Sequence, residues 1–249
     1  MGRVGTRWII GVAVSLMWGL AAPAWAEEQR IDHSTWDHLL HGYVSNGRVS
    51  YRRLVTERQM IEEYLEYLAT IHVERLPKHE QLAFWINAYN AYVVKWVLDR
   101  YPLRSVKDVR GFFDNLKCHL AGQDLTLNQV EQRSRALGDV RVHFALVSAS
   151  VSDPPLRSEA YTGARLGEQL TDQATRFLSD PARGLRLDGD TLWASMLFKT
   201  SAKDFVSGRL TPDALLKALH ASVPAALQAP QTPVRLLKWI TYDWALNER

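Results

Sequence analysis

The chain has 249 residues, 47% of them hydrophobic and 23% charged, with a net charge of +3. No lysine and arginine run is interleaved with aromatic residues, which argues against nucleic acid as a partner, and the single cysteine, Cys118, excludes an intramolecular disulfide. Stability has to come from packing, for which this length is ample.

Arg3 and Arg7 precede an apolar run from Trp8 to Leu20, followed by Ala24-Trp25-Ala26 and the acidic Glu27-Glu28. This is the pattern of a signal peptide over residues 1–26 with cleavage after Ala26, and it implies a periplasmic or secreted protein. A retained anchor ranks second, because the apolar run is shorter than the roughly 20 residues that span a bilayer. No stable membrane span is expected after cleavage. Residues 27–249 then read as a single domain, whose net charge falls by the two lost arginines to +1.

Along that domain the first half reads as helical. Ser34 or Thr35 caps a helix with Trp36, Leu39, Leu40 and Tyr43 at helical spacing, and Asn46-Gly47 ends it. Val49 to Tyr51 reads as a short extended piece. Residues 54–71 form an amphipathic helix with Leu54, Ile61, Tyr64, Leu65 and Leu68 inward. The segment from Lys78 to Arg100 is apolar nearly all round, so it should be the central buried helix. Asn87 and Asn90 lie three apart on it and share a face. Buried amides must be paired, so they either hold neighbouring backbone in place or orient a ligand or a catalytic group.

From residue 101 the pattern changes. Leu120 to Leu125 reads as a hairpin turning at Gly122, residues 127–135 as a short helix capped by Thr126 or Asn128, and Val142 to Ala149 as a buried strand stopped by Asp153-Pro154-Pro155. A helix over 163–178, a hairpin over 185–192, helical segments near 193–205 and 212–221, and a last strand around 234–242 complete an α+β domain: helix-rich, with a small sheet.

Few motifs carry chemistry outright. No glycine-rich phosphate loop, nucleophile elbow or dinucleotide fingerprint is present, so no cofactor is implied. Asp37, His38 and His41 have helical spacing, but two histidines fall short of the three or four converging ligands of a zinc site, and no metal is expected. Cys118 and His119 are adjacent, so on a strand they point to opposite faces and do not form a nucleophile and base.

Ala83-Phe-Trp-Ile-Asn-Ala-Tyr-Asn-Ala91, Leu125-Thr-Leu-Asn-Gln-Val-Glu131, His143-Phe-Ala-Leu-Val-Ser-Ala-Ser150, Pro154-Pro-Leu-Arg157 and Tyr242-Asp-Trp-Ala-Leu-Asn247 occur in this order. Together they resemble the domain of unknown function five-four-seven family over roughly residues 35–247. The resemblance implies a helix-rich α+β fold, an analogy to papain-like and transglutaminase-like thiol enzymes, and site residues at His143, Glu131 and Arg157. It also implies cysteines where this chain has Ser148 and Asp153, and a frequent histidine where it has Gln132. A serine hydroxyl is far less acidic than a thiol and attacks only when an adjacent base takes its proton. On a regular strand His143 and Ser148 would face opposite sides, so Glu131, Asp153 and Asp243 are the expected partners of His143. Arg157 is expected either to hold a substrate carboxylate or to pair internally with Glu131 or Asp153.

Three readings follow. The first is a binding or structural domain that keeps an active-site-like cleft near His143, Asn87, Asn90, Glu131 and Arg157, and takes a small molecule or peptide. The second is a hydrolase or acyl transferase using His143 with Ser148 or Asp153. The third is an interaction module for another envelope protein through the helix at 54–71. The first is preferred, because three positions suited to polar or nucleophilic chemistry differ together while the scaffold motifs remain.

Overall fold

The computed structural model describes residues 1–2, 30–228, 230 and 232–249; apart from its first two residues, the expected signal segment lies outside the described residues. The fold is α+β. At its centre is helix α4 (Lys78–Leu98), buried without a break from Leu82 to Val94. A helix that is apolar on every side has no face to give to water, so other elements must surround it. Helices α3 (Arg58–Ala69) and α5 (Leu127–Arg135) pack on it, and α1 (Ser34–Tyr43) packs on α3. The inner face of α3 is Ile61, Tyr64, Leu65 and Leu68, as its spacing predicts.

The helix predicted over 54–71 is broken near its start. A single turn, α2 (Tyr51–Leu54), is followed by a 3-10 turn at Val55–Glu57 before α3 begins. The Thr56 hydroxyl donates back to the Arg53 carbonyl at 2.9 Å, a local bond that competes with the helical ladder and bends it. The extended piece expected at 49–51 is correspondingly short. Strand β2 (Arg48–Val49) pairs with β1 (Val44–Ser45) around Asn46-Gly47, both at positive φ, before the chain enters α2. Successive positive-φ residues suit the tight turn of a hairpin.

Strands β3 (Cys118–Leu120) and β4 (Gln123–Leu125) form the expected hairpin, turning through Ala121 and Gly122, both at positive φ. Cys118 is buried and His119 exposed, on opposite faces. Helix α5 has the boundaries its sequence predicts. Thr126 accepts the Gln129 amide at 3.2 Å, while the Gln129 side chain accepts the Thr126 amide at 2.8 Å, a reciprocal cap.

A second apolar cluster lies beyond α6 (Leu166–Leu178), where Phe144, Phe177, Phe198 and Leu215 meet. Its sheet has the order β5 (Leu185–Asp188), β6 (Thr191–Ala194), β7 (Leu236–Trp239), with β5–β6 antiparallel and β6–β7 parallel. β6 continues to Ala194, where helix was expected from 193, because Leu192 and Ala194 are fully buried on its core face. Ser195 then caps α7 (Met196–Thr200), accepting the Leu197 amide at 3.3 Å, and α8 (Ala202–Phe205) follows. The 212–221 segment gives α9 (Pro212–Ala218), and the last strand is shorter than the predicted 234–242.

The main departure is at 142–149, which is not a strand. Asp139 accepts the Arg141 amide at 3.0 Å and starts a 3-10 turn at Val140–Phe144; the chain beyond is irregular, with Ala149 at φ +61°. Asn90 explains why such a buried, irregular segment is tolerated. Its amide donates to the Ala145 carbonyl at 2.9 Å and accepts the Val147 amide at 3.0 Å. One side chain thus supplies the donor and acceptor that a neighbouring strand would have supplied. Asn87 treats Tyr161 in the same way, donating to its carbonyl at 2.7 Å and accepting its amide at 3.0 Å.

Candidate functional site

Between the two apolar clusters lies a cavity of about 280 Å³. Helix α4 contributes Tyr89 and α5 contributes Glu131, while the irregular segment contributes His143, Leu146, Ser148 and Asp153. Helix α7 and its cap contribute Ser195, Met196 and Thr200, and the C-terminal segment adds Tyr242 and Trp244. Of the residues singled out from sequence, His143, Ser148, Asp153 and Glu131 come together here. Asn87, Asn90 and Arg157 do not line the cavity.

Asp153 is the hub of one network. Its carboxylate accepts the Ser148 hydroxyl at 3.0 Å, the Ser150 amide at 2.9 Å and the Tyr242 hydroxyl at 2.5 Å; Tyr242 in turn accepts the Ser150 hydroxyl at 2.7 Å. Burial raises the Asp153 pKa, and the bonds from Tyr242, Ser150 and Ser148 oppose that rise. The same burial, with the Asp153 charge beside it, pushes Tyr242 upward. This network binds the segment 149–153 to 243–247, where Val151 donates to Ala245 at 2.9 Å and Asn247 to Ala149 at 3.0 Å.

His143 belongs to a separate network. Its expected partners were Glu131, Asp153 or Asp243; its partner is Asp204 on α8, at 2.6 Å from Nε2. The strand geometry behind the expectation does not exist, so the 3-10 turn aims the ring elsewhere. Burial lowers the imidazole pKa, and the hydrogen bond and charge of Asp204 only partly restore it. For Asp204, burial acts upward but is outweighed by the His143 bond and the Arg135 charge, so its pKa is lowered. With Asp204 ionised, Nε2 carries the proton and Nδ1 is left as an acceptor. Asp204 also pairs with Arg135 at 2.6 Å, and Arg135 lies 3.5 Å from Glu131. On its outer side His143 borders a shallow groove lined by Asn128, Gln132 and Arg135.

No hydrogen bond joins His143 to Ser148 among the described residues. The hydroxyl faces one carboxylate and the imidazole another, so the two groups share a wall without forming a nucleophile–base pair. The cavity can hold a ligand by hydroxyl, phenol and carboxylate contacts and by apolar contact with Leu146, Met196 and Trp244.

Arg157 pairs internally, but with neither expected carboxylate. It bonds to Glu159, and to Asp172 at 2.5 Å, because the Pro154-Pro155 turn carries it away from the cavity toward α6. Burial pushes the Glu159 carboxyl upward, yet hydrogen bonds from Arg157 and Arg165 outweigh it and hold the pKa at about 2. Cys118 is buried on β3, and that burial pushes its thiol up to about 12 against the nearby Lys117 charge. On α1, Asp37 accepts the Ala160 amide at 2.8 Å and lies 3.2 Å from His41. Among the described residues no group of three or more histidine, cysteine or acidic side chains is placed to hold a metal ion. No helix among them is long and apolar enough to cross a membrane.

Sequence reasoning missed Asp204, Tyr89 and Tyr242 as site residues. Tyr89 and Tyr242 sit inside recognised motifs and were available signals; Asp204, 61 residues from His143 on a four-residue helix, carried none.

No curated protein and no solved structure matches the chain. Residues 73–178, a shorter span than the motifs suggested but one that includes Tyr89, Glu131, His143, Ser148 and Asp153, match the family model described as "Protein of unknown function, DUF547".

Proposed function

We propose that this chain is an exported binding domain whose cavity holds a small molecule or the end of a peptide without forming a covalent intermediate. The observation that carries this reading is the separation of the two networks. Ser148 donates to Asp153, and His143 to Asp204. A serine hydroxyl bonded to a carboxylate that already accepts two other donors has no free base to take its proton. Serine and aspartate at the two positions where the resemblance implies cysteine fit the same picture, and the N-terminal pattern of Arg3, Arg7 and Ala24-Trp25-Ala26 supports export.

One observation favours a second reading, a hydrolase or acyl transferase. His143 is neutral in tendency, oriented by Asp204, and lines the same cavity as Ser148. A ligand that displaced the Ser148–Asp153 bond would let the hydroxyl turn toward Nδ1.

Two measurements separate them. The binding reading expects saturation-transfer NMR signals from 2-phenylethanol that vanish in Met196→Trp, which fills the cavity wall. It also expects an unchanged intact mass after incubation with a fluorophosphonate. An adduct on Ser148 that disappears in His143→Ala establishes the second reading and removes the first.

A further inference from the structure

The cavity carries charge of only one sign. Glu131 and Asp153 line it, and no lysine or arginine does among the described residues. Glu131 is incompletely neutralised, since Arg135 stands 3.5 Å from it and only 2.6 Å from Asp204. Beside these carboxylates stands Tyr89, 5% exposed, whose hydroxyl has no hydrogen-bond partner among the described residues. With no protein partner and a place in the cavity wall, that hydroxyl is open to whatever fills the cavity, a ligand atom included. The phenol is within electrostatic reach of both carboxylates: after burial itself, the Glu131 and Asp153 charges are what raise its pKa. Tyr242 and Trp244, with ring centroids 4.6 Å apart, add aromatic surface, although Lys107 already lies 4.6 Å from the Trp244 ring centre.

Resting on the binding reading above, we infer that the ligand is an organic monocation, a protonated amine on a hydrocarbon body. Its ammonium group sits between the Glu131 carboxylate and the Tyr89 hydroxyl, and its hydrocarbon lies against Leu146, Met196 and Trp244. An ammonium suits this wall on three counts. It donates to an acceptor-only carboxylate and to the phenol oxygen, it is attracted to aromatic faces, and it meets no cation in the lining. An anion would meet two carboxylates instead. At about 280 Å³ the cavity is just below the roughly 300–1,000 Å³ of ordinary small-molecule sites, so the ligand is small.

The test uses the full chain and three probes of similar shape: 2-phenylethylamine, 2-phenylethanol and 3-phenylpropionate, with dissociation constants from NMR titration. The amine should bind about tenfold more tightly than the alcohol, the factor expected of one charge-assisted, partly exposed pair. The propionate should bind most weakly. Glu131→Gln should bring the amine to within about twofold of the alcohol, and Tyr89→Phe should weaken the amine more than the alcohol. Melting curves that match the parent show that the variants fold. A propionate that binds as tightly as the amine, or an amine preference that survives Glu131→Gln, overturns the inference. If the alcohol binds and the amine is no better, the ligand class is wrong and the binding reading stands; if none of the three binds, both fail.

Discussion

Replacing Asn90 tests the claim that one amide does the work of a missing strand. Asn90 is 2% exposed, and its two bonds satisfy the Ala145 carbonyl and the Val147 amide. Asn90→Ala leaves both backbone groups without a partner. Each stranded buried group costs about 1–3 kcal/mol, so the loss should be about 2–6 kcal/mol, a large part of the roughly 5–15 kcal/mol that holds a domain together. Urea denaturation followed by tryptophan fluorescence gives the difference from the midpoint and slope. Asn90→Asp is more discriminating. It keeps the acceptor for Val147, but above its pKa it turns a carboxylate toward the Ala145 carbonyl. The introduced carboxyl is therefore protonated more readily in the folded than in the unfolded chain, where its pKa is about 3.9. A folded-state pKa raised in this way gives stability that is present below about pH 4 and is lost as pH rises toward the folded value. Relative to the parent, this variant should weaken from pH 4 to pH 7. An Asn90→Ala loss under about 1 kcal/mol, or an aspartate variant whose deficit shrinks as pH rises, refutes the reasoning.

Three further outcomes are expected. Glu159, held at about 2 by Arg157 and Arg165 against its burial, contributes stability above its ordinary 4.5 that disappears as pH falls toward 2; in Arg157→Gln a carbon-detected NMR titration should find its midpoint moved back toward 4.5. Cys118, with its thiol at about 12, should resist iodoacetamide at pH 8 in the native chain and react fully in urea, as read by intact mass; fast native labelling contradicts its burial. Thr126→Ala removes one half of the α5 cap and should cost about 1 kcal/mol in the same denaturation assay, within the roughly 0.5–2 kcal/mol range of such caps.

The helical half was legible because it rests on local rules. α3 and α5 show apolar spacing and, for α5, a cap with its reciprocal glutamine, all within a few residues. α4 was legible for the opposite reason, since a long segment with no polar face can only be central. The run from Val142 to Ala149 was misread because a short apolar stretch records burial and not conformation. What decides its shape is Asn90, more than fifty residues earlier. The site follows the same division. His143, Ser148, Asp153 and Glu131 were found as residues but not as pairs. The partner of His143 arrives from α8 and is none of Glu131, Asp153 and Asp243, while Asp153 takes the phenol of Tyr242. Arg157 was placed in an internal ion pair, yet its carboxylates could not be named without knowing which way the double-proline turn leads.

Tyr242 and Trp244 line the cavity, and with α7 they lie outside the 73–178 segment that carries the family match. A fragment cut to that segment would be a bowl with one side missing: His143 would lose Asp204, and Ser148 and Asp153 would face bulk solvent. A match confined to this segment therefore accounts for a floor but no enclosure. Two proteins sharing it could admit unrelated guests, depending on what each chain brings round to seal the rim.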